Sequence, residues 1–99
     1  MKTRQRMFLN QTVLQAEGNI VSNMGDEKVM LSIHNGKYYN LGKTGGEIWE
    51  LMKEPIQINE IITTLLSRYQ VGQNECEEQV LSFVTHLNKE DLIKIVPEK

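Results

Sequence analysis

The feature of this 99-residue chain that most constrains its fold is a change in the spacing of its apolar residues near Gly42. Before that point, short apolar runs are separated by turn-forming residues such as Gly18, Gly25 and Gly36, which is typical of β-strands. After it, apolar residues recur every three or four positions, the spacing of amphipathic helices. The order predicts one α+β domain with an N-terminal sheet followed by helices.

The strongest local signal lies in residues 28–41, which predict a β-hairpin turning at Asn35-Gly36. A two-residue turn would pair Leu31 with Asn40 and place a polar amide on the apolar face. A three-residue loop, with Gly36 in the left-handed region, pairs Leu31 with Tyr39 instead, and we expect this register because a slip of one residue inverts both faces. Its apolar face consists of Val29, Leu31, Ile33, Tyr39 and Leu41. Residues 20–24 predict a further strand, with 13–16 as a candidate extension of it.

Three helices are predicted after the hairpin. The first covers about 44–52, where Thr44 and Glu47 have the spacing of a capping box and Trp49 flanks the apolar face. The second covers about 59–69, and Gly72 ends it. The third covers about 74–89 with Asn74 as its N-cap, and the apolar residues in 92–96 predict a short closing strand.

The third predicted helix carries an apolar stripe wider than one neighbour requires. At about 100° per residue the stripe spans roughly 160°, whereas packing against one partner needs about 100°. Leu81 and Val84 are assigned to the flank that faces the core. The other flank is formed by Cys76, Val80 and Phe83, with Gln79 and His86 beside them. The pattern leaves two interpretations open: a helix buried on two sides, or a second flank that lines a binding surface.

Composition excludes several classes of protein. The single cysteine, Cys76, allows no intrachain disulfide, so a reducing cytosol is the simplest compartment. The apolar patch that follows the basic residues of 1–6 is too short for a signal peptide, and no window is long enough to span a membrane. The net charge of −2 argues against a nucleic-acid-binding protein, which normally has a basic face.

No residue pattern predicts catalysis, a metal or a cofactor. Gly36 and Gly42 enclose five residues, whereas a phosphate-binding loop requires four between its glycines. His34, Cys76 and His86 lack the spacing of metal ligands. Cys76 has no evident base that would activate it as a nucleophile, and a small buried thiol explains it better.

Residues 29–52 resemble the core signature of the PqqD family. The shared features are a short apolar strand, a turn with glycine, Tyr38-Tyr39, Leu41, a Thr44-Gly45 step and Ile48-Trp49-Glu50-Leu51. Further agreements are Tyr69, the acidic start of the third helix, and Val80, Phe83 and Leu87. The resemblance covers about 18–96. The sequence departs from the family at Ile33-His34, where an acidic residue is common, and at Lys43, where proline is usual.

The resemblance implies a winged-helix-like fold, in which an N-terminal three-stranded antiparallel sheet precedes three helices. Residues 18–97 would form the PqqD-like peptide-binding domain, and residues 1–17 an N-terminal extension or a partly ordered first strand. It also implies a RiPP recognition element, which binds the leader of a ribosomally made precursor peptide as an added strand beside the third helix. The residues that the resemblance assigns to this site are Lys37, Tyr38, Tyr39, Asn40, Leu41, Cys76, Gln79, Val80, Phe83 and His86.

Within the family, the chain most resembles the stand-alone leader-binding proteins of lasso-peptide biosynthesis. That resemblance implies a cytoplasmic, non-catalytic peptide chaperone, a leader with a Tyr-x-x-Pro motif, and presentation of the leader to a leader peptidase and, as a further candidate partner, a cyclase. Pyrroloquinoline quinone and radical-enzyme pathways use similar domains, so the pathway stays open.

The alternative function is that of a winged-helix DNA-binding regulator, which would carry basic residues on its recognition helix. The third helix instead begins with Glu75, Glu77 and Glu78, and its one lysine, Lys89, lies at the far end.

Overall fold

The computed structural model describes residues 7–97. The strands are β1 (Thr12–Gln15), β2 (Asn19–Met24), β3 (Glu27–Ser32), β4 (Lys37–Leu41), β5 (Ile56–Gln57) and β6 (Ile93–Val96). The helices are α1 (Gly42–Leu51), α2 (Ile58–Arg68) and α3 (Gln73–Lys89). Strands β2, β3 and β4 form an antiparallel front sheet in that order, and β5, β1 and β6 form a second, rear sheet. The predicted α+β fold, a three-stranded sheet followed by three helices, is confirmed.

Residues 13–16 were predicted as a candidate extension of the front sheet, but they do not belong to it. Val13 pairs with Ile56 of β5 on one side and with Ile95 of β6 on the other, so β1 is the central strand of the rear sheet. The side chain of Val13 is fully buried there. The prediction was wrong because the partners of β1 lie some 40 to 80 residues away in the sequence, where local pattern gives no information about pairing.

The predicted hairpin is present, but its predicted register is wrong. Tyr39 pairs with Met30 rather than with Leu31, and the loop between β3 and β4 has four residues, 33–36. Ser32 closes this loop, because its carbonyl oxygen accepts the Gly36 N–H (2.7 Å) and its hydroxyl accepts the Asn35 N–H (3.1 Å). Gly36 has the predicted positive φ, at 70°.

This register reverses the faces of β3 but not those of β4. Met30 and Ser32 point into the protein and are buried, whereas Ile33, which was predicted to face the core, is 62% exposed. Ser32 can be buried because its hydroxyl has a hydrogen-bond partner in the loop. Tyr39 and Leu41 lie on the inward face of β4, as predicted.

Two predicted helix caps are also wrong. α1 begins directly after β4 at Gly42, whose φ of 74° lets the chain turn at once, and no capping box forms at Thr44. α3 begins at Gln73 with Gly72 as its N-cap, two residues before the predicted N-cap Asn74. A capping box is present at the start of α2, where the Gln57 N–H donates to Oε1 of Glu60 (3.3 Å).

The core fills the space between the two sheets and the three helices. Trp49, predicted to flank the apolar face of α1, is only 3% exposed and belongs to this core. The other core residues with fully buried side chains are Val13, Met30, Met52, Ile58, Ile61, Val80, Val84, Leu87 and Leu92. Across residues 7–97, none of the helices combines the length and the apolar character that crossing a membrane requires.

Candidate functional site

β4 is an edge strand. It pairs with β3 on one side, and on its other side it has no strand partner within residues 7–97. Such an edge offers a row of backbone N–H and C=O groups that another extended chain can pair with. The side chains of Tyr38 and Asn40 are exposed, whereas those of Tyr39 and Leu41 turn inward.

One side of α3 carries a shallow depression that could receive such a chain. Its volume is about 570 Å³, and its lining residues are Glu78, Gln79, Ser82, Phe83 and His86. We refer to these five residues as the α3 face. Phe83 is its apolar member and is half-buried, and the others offer hydroxyl, amide, imidazole and carboxylate groups.

The ring of Phe83 packs directly over the start of α1. A Cβ atom placed on Gly45 would lie only 3.0 Å from Cε1 of Phe83 and 3.5 Å from Cβ of Leu41. Gly45 is therefore the residue where the end of β4, the start of α1 and the α3 face meet. A larger side chain at this position would push the ring outward.

The first half of β4 and the hairpin loop before it are joined to the C-terminal end of α3 by four residues that we call the polar clasp: Asn35, Lys37, Tyr39 and Glu90. The Tyr39 hydroxyl donates to Oε1 of Glu90 (2.8 Å), and Nδ2 of Asn35 donates both to Oη of Tyr39 (3.0 Å) and to the carbonyl oxygen of Glu90 (2.9 Å). Nζ of Lys37 lies 3.4 Å from the same Oε1. The hydrogen bonds from Tyr39 and Lys37 hold the pKa of the Glu90 carboxyl below its usual range.

The structure therefore brings together some of the predicted site residues and separates others. Gln79, Phe83 and His86 share the α3 face. β4 contacts the end of α3 through the Tyr39–Glu90 hydrogen bond, and its last residue, Leu41, lies with Phe83 around Gly45. Cys76 and Val80, by contrast, are only 5% and 1% exposed and belong to the core. They lie on the adjoining stripe of α3, which packs into the core.

Sequence reasoning missed the contributions of Gly45, Asn35 and Glu90. Gly45 carried a signal, because a Gly45-Gly46 pair inside a helix is unfavourable unless something packs closely against it. Glu90 carried none, since an acidic residue at the end of a helix is ordinary in a sequence. Its role depends on a contact with Tyr39 across 51 residues.

The burial of Cys76 leads to a direct prediction. Burial, together with the nearby charge of Glu77, raises the pKa of its thiol, so little reactive thiolate forms at neutral pH. We expect a thiol reagent such as Ellman's reagent to label the native protein at least ~10-fold more slowly than the protein unfolded in urea. Labelling at equal rates in both states would show that Cys76 is accessible at the surface.

The described residues hold no group of three or more His, Cys, Asp or Glu side chains placed to bind a metal ion.

Comparison with known proteins gives two matches. The family model described as "Coenzyme PQQ synthesis protein D (PqqD)" matches residues 27–93. The chain is also similar to a solved structure described as "TbiB1 in Complex with the TbiA(beta) Leader Peptide", with 24% sequence identity, a TM-score of 0.75, and coverage of 86% of this chain and 99% of that chain. At this identity the likeness shows a shared fold. A search among curated protein sequences returns no significant match.

Proposed function

The chain belongs to the PqqD family, and on that premise we propose that it is a binding domain, not an enzyme, that holds the leader segment of a ribosomally synthesised precursor peptide. The observation that carries the proposal is the edge of β4, which has no strand partner within residues 7–97 and is joined by the Tyr39–Glu90 hydrogen bond to the end of the helix that carries the α3 face. The complex of TbiB1 with a leader peptide supports it, because that protein shares the fold over 86% of this chain.

We propose strand addition as the mode of binding. Main-chain hydrogen bonds to β4 would supply affinity without regard to sequence, and alternate side chains of the peptide would reach the α3 face. Phe83 would provide the apolar contact, while Gln79, Ser82 and His86 can hydrogen-bond to polar groups of the peptide. The proposed site consists of Lys37–Leu41 together with the α3 flank, with Cys76 and Val80 acting through the packing beneath it.

The finer assignment is to lasso-peptide biosynthesis, with a leader that carries a Tyr-x-x-Pro motif. In this proposal the chain works in the cytoplasm and presents the bound leader to a leader peptidase and, as a further candidate, to a cyclase. The shared fold with TbiB1 is consistent with this pathway. Exposed Glu75 and Glu78 on α3 disfavour the alternative of DNA binding, because phosphates would meet negative charge on that helix.

A peptide N-methylation scan tests strand addition without altering the protein. A synthetic leader, taken from a short precursor gene beside the gene for this chain, is titrated calorimetrically in versions with one backbone N–H methylated at a time. Each N–H that pairs with β4 contributes one hydrogen bond of about 1 kcal/mol, so methylation should weaken binding about fivefold or more at alternate positions. Methylation at the intervening positions should have little effect.

The unmethylated leader with a scrambled sequence serves as the control. If the native leader binds and the effects of methylation show no alternation, the peptide does not add as a strand. If native and scrambled leaders fail equally to bind, leader recognition itself is excluded for that peptide.

A further inference from the structure

The backbone of α3 comes close to the front sheet at few points. α3 packs mainly against α2 and β6, whereas β4 packs mainly against β3 and α1. The edge of β4 and the α3 face would form the two walls of the peptide site, and beneath them β4 and α3 contribute Leu41 and Val84 to the same core. Above this core, two further contacts join the walls: the Phe83 ring over Gly45 and the polar clasp.

The polar clasp links β4 to the end of α3 through several hydrogen bonds that share Tyr39 and Glu90. Tyr39 lies in the middle of β4, and its hydroxyl is held from both sides, by Nδ2 of Asn35 (3.0 Å) and by Oε1 of Glu90 (2.8 Å). Asn35 in turn reaches the main-chain oxygen of Glu90 (2.9 Å), so the loop of the hairpin is attached to the helix end as well. Tyr39 of β4 thus contacts the side chain of Glu90, and Asn35 of the hairpin loop contacts its backbone.

Glu90 itself has little freedom. Its N–H donates to the carbonyl oxygen of His86 (3.0 Å), a residue of the α3 face one turn earlier. The next residue, Asp91, has a φ of 62°, and the N–H of Leu92 then donates to the carbonyl oxygen of Leu87 (2.9 Å), which terminates the helix tightly. A shift of Glu90 would therefore move the end of α3, including His86.

We infer that Tyr39 and Glu90 are positioning residues, which set the spacing between the edge of β4 and the α3 face and thereby determine peptide affinity. This inference rests on the proposed function. In this inference the Tyr39 hydroxyl bonds to other residues of the protein and does not contact the peptide. The peptide is contacted by the backbone of β4 and by the α3 face.

The chain offers a matched control for this inference. The Tyr69 hydroxyl donates to Oε2 of Glu47 (2.7 Å), a tyrosine–carboxylate bond between the end of α2 and α1. Glu47 lines a different depression, which includes no residue of the α3 face. Tyr39→Phe and Tyr69→Phe each remove one hydroxyl and retain the ring. We expect both to lower the melting temperature slightly, but only Tyr39→Phe to weaken leader binding, by about fivefold, while Tyr69→Phe leaves the affinity within about twofold.

Variants of Glu90 separate positioning from direct contact. Glu90→Gln retains a side-chain oxygen that accepts a hydrogen bond from Tyr39, so its affinity for the leader should stay close to that of the wild type. Glu90→Ala has no such oxygen, and its affinity for the leader should fall about as much as that of Tyr39→Phe. The double variant Tyr39→Phe/Glu90→Ala should lose no more than either single variant, because both interrupt the same bond.

Calorimetric titration with the synthetic leader, accompanied by thermal unfolding of each variant, measures all of these effects. Additive losses in the double variant would show that the Tyr39 hydroxyl acts on the peptide separately, and would overturn the inference. So would wild-type affinity in Tyr39→Phe, or an equal loss in Tyr39→Phe and Tyr69→Phe. In each of those cases the wild-type protein still binds the leader and the proposed function stands, whereas failure of the wild type to bind contradicts the proposed function instead.

Discussion

Replacing Phe83 with alanine is expected to weaken leader-peptide binding about thirtyfold while leaving the protein folded. Phe83 is the apolar residue of the α3 face, and truncation of a buried aromatic anchor at an interface often costs about 2 kcal/mol or more of binding free energy. The ring is half-buried over Gly45, so the substitution also removes some packing and lowers the melting temperature. Titration calorimetry with the leader and thermal unfolding measure the two effects separately.

Val84→Ala is the matched control, since Val84 is adjacent in sequence but fully buried on the core side of α3. Removing its two methyl groups should cost about 2 kcal/mol of stability, which corresponds to a decrease of roughly 10 °C in melting temperature for a domain of this size. Its leader affinity should stay within about threefold of the wild type. If Val84→Ala in a folded protein harms binding more than Phe83→Ala does, the two flanks of α3 have been assigned the wrong way round.

Replacing Trp49 with alanine is expected to produce the largest loss of stability. Trp49 is 3% exposed in the core, and truncation of a buried tryptophan typically costs about 3–5 kcal/mol. The free energy of unfolding of a small domain is only about 5–15 kcal/mol, so this change would remove a large share of it. Because Trp49 is the chain's single tryptophan, urea unfolding should be followed by circular dichroism rather than by fluorescence.

The neighbouring Glu50 provides the control for this second variant. Its carboxylate forms ion pairs with Lys28 (3.6 Å) and Lys53 (3.3 Å) at the surface, and such exposed pairs contribute at most about 1 kcal/mol. Glu50→Ala should therefore unfold close to the wild type. A loss of under about 1 kcal/mol in Trp49→Ala would mean that the side chain lies at the margin of the core, where the apolar pattern of α1 had placed it.

The parts of the protein that could be predicted from the sequence depend on local patterns. Alternation of apolar residues and the Asn35-Gly36 turn located the hairpin, and the spacing after Gly42 located three helices to within about two residues of their ends. The width of the stripe on α3 indicated a second flank, and Gln79, Phe83 and His86 of that flank do share one face. In each case the periodicity of the element itself carries the information.

The register of the hairpin shows where such reasoning stops. Counting apolar residues favoured Ile33 on the buried face, but the structure buries Ser32 instead, because the hydroxyl has a partner in the loop and Met30 fills the core from the same face. The difference in free energy between the two registers depends on how the inward-facing side chains of the sheet pack against the core beneath it. That is a property of α1 and the core and is not visible in the hairpin's own residues.

Local sequence patterns predict the order of sheet and helices, the location of the strand β4, and a second flank of α3 that includes Gln79, Phe83 and His86. Only the tertiary structure decided that β1 lies between β5 and β6, that Cys76 and Val80 belong to the core, and that Tyr39 reaches Glu90. The two groups of features differ in how far apart in the sequence the interacting residues lie. Hydrogen bonds and periodic faces within one element are set by neighbours a few residues away, whereas the walls of the candidate site meet through contacts between residues some 40 to 50 positions apart.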